Sequence, residues 1–214
     1  MSEIKIGIAI PTAGTVHINF AASLVGMVAK FAAGGVPTVP EAKITIALHV
    51  LQSSNWITNR EKLAKAAIND GETHLMFLDD DMTFDPRVLE ILLGRRQAIV
   101  TTNYLIKTDP ARDFVAVSLD GRRIPTKAES TGIEPIAYSG FGVSLIETEV
   151  FKKTPQPWFM PDFNAEKSEY TTEDNPFFRR AREAGFAVYV DHDASRLVSH
   201  LGARLWNWSE VSYG

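Results

Sequence analysis

The sequence predicts an α/β fold built on a mostly parallel central sheet, and three observations carry that prediction. Apolar runs of strand length alternate with segments of helical period through the first hundred residues, the connections between them are short, and polar residues gather where each apolar run stops. Alternation with short crossovers implies parallel strands joined right-handedly. Sheets of that kind bind ligands beyond the carboxyl ends of their strands.

Residues 4–10 are an apolar run ended by Pro11, the pattern of a buried strand. Residues 16–31 have helical spacing and stop at Gly34-Gly35 before Pro37. Extended to Val36, this is the longest apolar stretch, but His17, Asn19, Ser23 and Lys30 interrupt it. It therefore reads as a buried helix rather than a transmembrane segment. Residues 44–51, rich in β-branched side chains, form the second strand, and Gln52-Ser53-Ser54-Asn55 ends it. Thr58 is expected to cap a helix running to Ile68, closed by Asn69-Asp70-Gly71. Residues 74–78 are a short apolar strand that runs into Asp79-Asp80-Asp81. Pro86 opens a helix to about Leu93, and residues 98–102 make a further buried strand. The strand ends then offer Pro11-Thr12, Gln52-Ser53, the three aspartates and Thr101-Thr102-Asn103 to one crevice.

The second half is less regular. Residues 114–119 and 122–124 flank Asp120-Gly121 as a hairpin. Residues 136–146 enclose Ser139-Gly140-Phe141-Gly142, residues 164–172 are a polar, mobile segment, and Glu173-Asp174-Asn175-Pro176 leads into a helix ending at Ala184-Gly185. Residues 186–190 return as a strand, with His200 beyond the last strand and Trp206 and Trp208 in the tail.

Composition sets outer bounds. A chain of 214 residues suits a single domain with a sizeable core. With 22 Lys and Arg against 26 Asp and Glu, the net charge of -4 argues against a nucleic-acid polymer as partner. Absence of cysteine excludes disulfides and thiolate metal sites. Met1-Ser2-Glu3-Ile4-Lys5 lacks the build of a signal peptide, and a cytoplasmic location is expected.

The chemistry centres on Asp79-Asp80-Asp81. Two unit charges about 4 Å apart repel by roughly 4 kcal/mol at an effective dielectric near 20, and a bound diphosphate would add to that. A hard dication, Mn²⁺ or Mg²⁺, resolves both conflicts because it takes oxygen ligands and bridges carboxylate to phosphate. Alternation along a strand would turn Asp79 and Asp81 to one side and Asp80 to the other. The plainer alternative is that these acids cap the turn before the next helix.

The other motifs are weaker singly. One carboxylate of Glu173-Asp174 could act as a general base, although either Asp174 or Asn175 is also an ordinary helix cap. His200 could join a carboxylate as a metal ligand, or sit satisfied in the core. The glycines around Gly140 could mark a bulge or a close backbone approach to a ligand. Arg60, in the first turn of a helix, could reach a phosphate or lie in solvent, and Trp158 could stack on a sugar or pack in the core.

Taken in order, Ile10-Pro11-Thr12, Asn59-Arg60, Phe77-Leu78-Asp79-Asp80-Asp81, Ser139-Gly140-Phe141-Gly142, Glu173-Asp174 and His200 resemble the GT-A type of glycosyltransferase, closest to family 2. The resemblance runs from residue 4 to about 202. It implies a Rossmann-like nucleotide-diphospho-sugar transferase fold with a small antiparallel addition, divided into a nucleotide-binding half, residues 1–105, and an acceptor-side half, residues 106–214. It also implies transfer of a sugar from a nucleotide-diphosphate donor to an acceptor hydroxyl with inversion. By that likeness Asp79, Asp80, Pro11, Thr12, Arg60 and Gly140 line the donor, Asp81, His200 and Asp79 hold Mn²⁺ or Mg²⁺, and Asp174 is the base beside Glu173. Many relatives carry an acid after the second strand to read uracil. Here Gln52-Ser53-Ser54-Asn55 stands instead, which leaves the donor base open.

Two enzyme alternatives compete. Asp79-Asp80-Asp81-Met82-Thr83 also fits the Asp-X-Asp-X-Thr of haloacid-dehalogenase-like phosphatases, although two strand–helix units precede it. A nucleotidyltransferase would want a basic, glycine-rich first loop, and Pro11-Thr12-Ala13-Gly14-Thr15 has one glycine and no basic residue. A nucleotide-sugar binding module without turnover is the non-enzymatic alternative, distinguished by binding without hydrolysis or transfer.

Overall fold

The structure, a computed structural model, describes residues 2–34, 39–40, 42–108, 113–202 and 205–210. The first half runs β1 (Ser2–Thr12), α1 (Ile18–Gly34), β2 (Ala42–Gln52), α2 (Trp56–Asn69), β3 (His74–Leu78), β4 (Met82–Phe84), α3 (Val88–Gly94) and β5 (Ile99–Thr102). The second half runs β6 (Ile133–Pro135), β7 (Val143–Glu147), α4 (Thr148–Lys153), β8 (Phe163–Asn164), β9 (Glu169–Tyr170), α5 (Asp174–Glu183), β10 (Tyr189–Asp191), α6 (His192–Ser195), β11 (Val198–Leu201) and β12 (Leu205–Asn207).

Seven strands form the central sheet in the order β2-β1-β3-β7-β5-β10-β6. β1 lies parallel to both β2 and β3, and β5 parallel to β10, while β7 runs antiparallel between β3 and β5 and β6 runs antiparallel on β10. The predicted strands therefore share one direction, but β3 and β5 are not neighbours. The apolar Val143-Ser144-Leu145-Ile146 segment wedges between them and is buried throughout. A second sheet, β12-β11-β4, and the β8-β9 pair are antiparallel, and the two faces of the main sheet carry separate apolar cores.

Several expectations change in detail. Asn55, not Thr58, caps α2: its side chain accepts from the Thr58 N–H at 3.0 Å. α1 is buried on one face only. Phe20 and Met27 face the core, whereas Ile18 is 75% and Val25 66% exposed. The Asp120-Gly121 turn forms, and its flanks pair through the isolated Val117–Arg123 bridge and backbone bonds from Ser118 to Arg122 and Ile124 to Ala116 rather than as a regular hairpin, with Asn103 tying both flanks down. That carboxamide donates to the Ile124 carbonyl at 2.7 Å and accepts from the Ala116 N–H at 3.0 Å. Thr101, Thr102 and Asn103 are fully buried and so do not line the crevice. Residues 164–172, expected to be mobile, hold all but the first residue of the β8–β9 hairpin, in which Phe163 pairs with Tyr170. His200 lies within a strand, β11, rather than beyond the last one. Trp158 is a core residue, with its indole N–H donated to the Thr154 carbonyl at 2.9 Å. No described helix is long and apolar enough to cross a membrane.

Candidate active site

β3 stops at Leu78, so strand alternation no longer governs the aspartates that follow. The Asp79 N–H donates to the Gly142 carbonyl and the Met82 N–H returns to the Asp79 carbonyl, closing a turn between β3 and β4. This turn, not the pleat, aims the three carboxylates. The Asp81 charge helps to raise the Asp79 carboxyl, so the two lie within electrostatic reach, but they take different partners. Asp80 has no hydrogen bond or ion pair among the described residues.

Asp79 turns towards α2. Its Oδ1 accepts from Arg60 Nη2 at 2.8 Å, and Arg60 Nε reaches Glu173 Oε1 at 3.4 Å. The guanidinium lies over the rings of Phe77 and Phe141, at 5.4 and 4.8 Å from their centroids. Arg60 is thus a buried counter-charge joining the aspartate turn to the start of α5, not a solvated side chain. Its Nη1 is buried without a hydrogen-bond partner. Burial works against the charge, but Asp79, Asp174 and Glu173 together hold the guanidinium firmly protonated. Burial in turn pushes the Asp79 carboxyl up, partly offset by Arg60.

Asp174 opens α5, with no side-chain cap bond from Glu173. A carboxylate at a helix N-terminus is expected to be acidified. Here burial and the adjacent Glu173 raise Asp174 well above the ordinary carboxylate range, despite Arg60. Burial, with the adjacent Glu173 charge, outweighs the helix dipole, and the result is a stronger base. Asp174 borders a cleft of about 380 Å³ that also includes Gly140 and Ser139.

Asp81 faces the other way, to Lys107 Nζ at 2.5 Å and His200 Nε2 at 3.4 Å. Although burial alone would push it up, hydrogen bonds from His200 and Lys107 bring the Asp81 carboxyl down to about 2. His200 Nδ1 lies 2.9 Å from the Leu105 carbonyl, which can only accept. That bond places the proton on Nδ1, leaving Nε2 to hold either a second proton or a lone pair next to Asp81. A lone pair beside a carboxylate oxygen is a donor set suited to a dication, so Asp81 and His200 fit the expected metal. Among the described residues no third His, Asp or Glu joins them, which leaves the remaining coordination to phosphate oxygens and water. Asp79, the other candidate ligand, has one oxygen engaged by Arg60.

Gly140 and Gly142 answer to a residue the sequence did not single out. A Cβ on Gly140 would lie 2.1 Å from the Tyr104 hydroxyl, and one on Gly142 2.7 Å from its ring. The close approach is therefore to Tyr104, whose hydroxyl accepts from the Gly142 N–H at 3.0 Å and whose ring meets His200 edge-on. The paired glycines were the only signal of it. Lys107 was missed too, its one trace being a cation a few residues past the fourth apolar run. Pro11 and Thr12 end β1 and are buried. Thr12 Oγ1 accepts from the Gly14 N–H at 3.0 Å, shaping the loop above β1.

No protein-family model and no curated protein sequence matches the chain. Solved structures do. A197 from STIV superposes with a TM-score of 0.57 at 18% identity, covering 93% of this chain and 86% of that one. The catalytic domain of Drosophila beta1,4-galactosyltransferase 7, in complex with xylobiose, gives 0.51 at 16% identity, covering 93% and 71%. A point mutant of the same galactosyltransferase, in complex with manganese, UDP-Gal and xylobiose, gives 0.48 at 16% identity and the same coverage. At these identities the likeness is one of fold: a GT-A-type α/β architecture with a mostly parallel seven-stranded sheet.

Proposed function

We propose that this chain is a metal-dependent glycosyltransferase that moves a sugar from a nucleotide-diphosphate donor to an acceptor hydroxyl. The observation that carries the reading is the division of labour among the acids of one crevice. Asp81 is held ionised beside a His200 nitrogen suited to a metal, while Asp174 is held basic beside an open cleft. Arg60 ties the two groups together through Asp79 and Glu173.

Asp81 and His200 would hold Mn²⁺ or Mg²⁺. When bound, the metal would supply positive charge to the departing diphosphate. Lys107, already at Asp81, is placed to pair with a phosphate once that carboxylate takes the cation. Asp174 accepts the proton of the acceptor hydroxyl, which attacks the anomeric carbon opposite the leaving diphosphate, with inversion. Arg60 keeps Asp79 and Glu173 in register during this step, and its Nη1, unpartnered among the described residues, would face the donor. Asp80, Pro11, Thr12 and Gly140 would border the donor. The phosphatase alternative would use the second oxygen of Asp79 as nucleophile, since Oδ1 accepts from Arg60 at 2.8 Å; a trapped aspartyl-phosphate on Asp79 would favour it.

The test is a panel of nucleotide sugars with Mn²⁺, reading binding and slow donor hydrolysis. We expect one donor to bind and to lose affinity at least tenfold in Asp81→Asn. Absence of binding across the panel, or unchanged binding in the variant, would sink the reading.

A further inference from the structure

We infer that the acceptor is anionic, carrying a carboxylate or phosphate beyond its nucleophilic hydroxyl, and that Arg123 recognises that charge. The inference rests on the glycosyl-transfer reading and adds the acceptor's chemical class.

The cleft beside Asp174 has one acid and one base among its described lining residues, Asp174 and Arg123. Between them lie groups suited to a sugar: the Tyr138 ring for a C–H face, and Thr172 and Asn175 for hydroxyls. Arg123 is held in place from behind, its Nη1 donating to the Val115 carbonyl at 2.9 Å. A guanidinium has five donors, and Val115 takes the only one bonded among the described residues. The remaining fork is free for the bidentate grip that carboxylates and phosphates accept.

A second cavity, of about 410 Å³, also includes Arg123 and extends the groove away from Asp174. Arg122 and Lys127 line it, and the one acid there is Glu134, whose carboxylate lies 3.1 Å from His192 Nε2. Arg122 pairs with Asp120, but both are well exposed, and such surface pairs rearrange at little cost. Arg123, the cation that both cavities share, thus presents an unengaged fork to the groove of a chain whose net charge is -4. An anionic acceptor would enter with its charge at Arg123 and its hydroxyl at Asp174. The reverse orientation would bring its charge against Asp174 and Glu173, so the same electrostatics set the direction of binding.

The experiment uses the full chain without donor first. Glucose, glucuronate and glucose 6-phosphate are titrated while amide and arginine side-chain resonances are followed by NMR. We expect the two acids, and not glucose, to shift Gly140, Asn175 and the Arg123 Nε–H. Their order of affinity separates a carboxylate from a phosphate preference. Arg123→Gln should weaken both at least tenfold with an unchanged melting temperature, and Arg123→Lys should retain part of the affinity. Equal binding of glucose, unchanged anion binding in Arg123→Gln, or shifts confined to Lys107 and His200 would overturn the inference. In transfer assays with the donor found by the panel, Arg123→Gln should raise KM for acidic acceptors and leave donor binding alone. A loss of donor binding instead would assign Arg123 to the diphosphate. Failure of every donor in the panel would remove the glycosyl-transfer reading but not the anion-binding result, so the two can fail separately.

Discussion

Replacing Arg60 with methionine should strand two carboxylates in a crevice that has a third beside them. The pairs at 2.8 Å to Asp79 and 3.4 Å to Glu173 correspond to gross attractions of roughly 6 and 5 kcal/mol at an effective dielectric near 20. Most of that offsets the desolvation of ions whose side chains are only 4%, 25% and 23% exposed. The net loss on removing one partner of a buried pair is about 3–5 kcal/mol. For a chain of this length, that lowers the melting temperature by roughly 6–20 °C. Methionine keeps much of the apolar contact with Phe77 and Phe141, so the loss reports mainly on charge. Arg60→Lys should fall between, because an ammonium cannot reach both acids with one planar fork. Urea denaturation of Arg60→Met, Glu173→Gln and the double variant separates the terms. The double variant should recover part of the loss, since one stranded charge is gone. A loss under about 1 kcal/mol in Arg60→Met, or no recovery in the double variant, would refute the claim that Arg60 energetically links the two acid groups.

Three further outcomes follow from the same geometry. Because burial and Glu173 raise Asp174, the acid limb of the transfer rate should have its midpoint above the ordinary carboxylate range near 4, and Asp174→Asn should abolish transfer while keeping donor binding; a limb at the ordinary value would contradict this. Asp81 is depressed to about 2 from 3.8, so its stabilisation of the metal-free chain is complete above pH 3.8 and lost as pH falls towards 2; the stability gap to Asp81→Asn, read by denaturation in EDTA, should close across that window, and a constant gap would count against the pairing with Lys107 and His200. Gly140→Ala should destabilise by about 1–3 kcal/mol through its clash with Tyr104, partly relieved in Tyr104→Phe; a neutral Gly140→Ala would show that the loop yields freely.

The strand–helix alternation was legible because β1, β2, β3 and β5 are apolar runs with clear turn signals. The insertion of β7 was not. Nothing in Val143-Ser144-Leu145-Ile146 distinguishes a parallel from an antiparallel neighbour, and its partners lie some 70 and 45 residues away in the sequence. The aspartates announced themselves by charge, but their aim comes from a turn, where the period of two no longer applies. Arg60 could be read as a phosphate contact or as a solvated side chain, because helix position says nothing about which acids a fold brings above it. Asp174 shows the same limit in energetics: its place at a helix start suggested a weak base, and burial within the fold, with the adjacent Glu173, reverses the sign. Tyr104 and Lys107 follow β5 closely and carry no motif. Their roles depend on a glycine loop and an aspartate that are distant in the chain.

The central claim is that Asp81 and His200 form a cation site that accepts a nucleoside diphosphate. Calorimetric titration of UDP and GDP into the chain tests it most directly, with Mn²⁺ and with EDTA. The account predicts that at least one nucleotide binds with Mn²⁺, that EDTA weakens it at least tenfold, and that Asp81→Asn or His200→Ala does the same. Binding of equal strength in EDTA, or indifference to both substitutions, would contradict it.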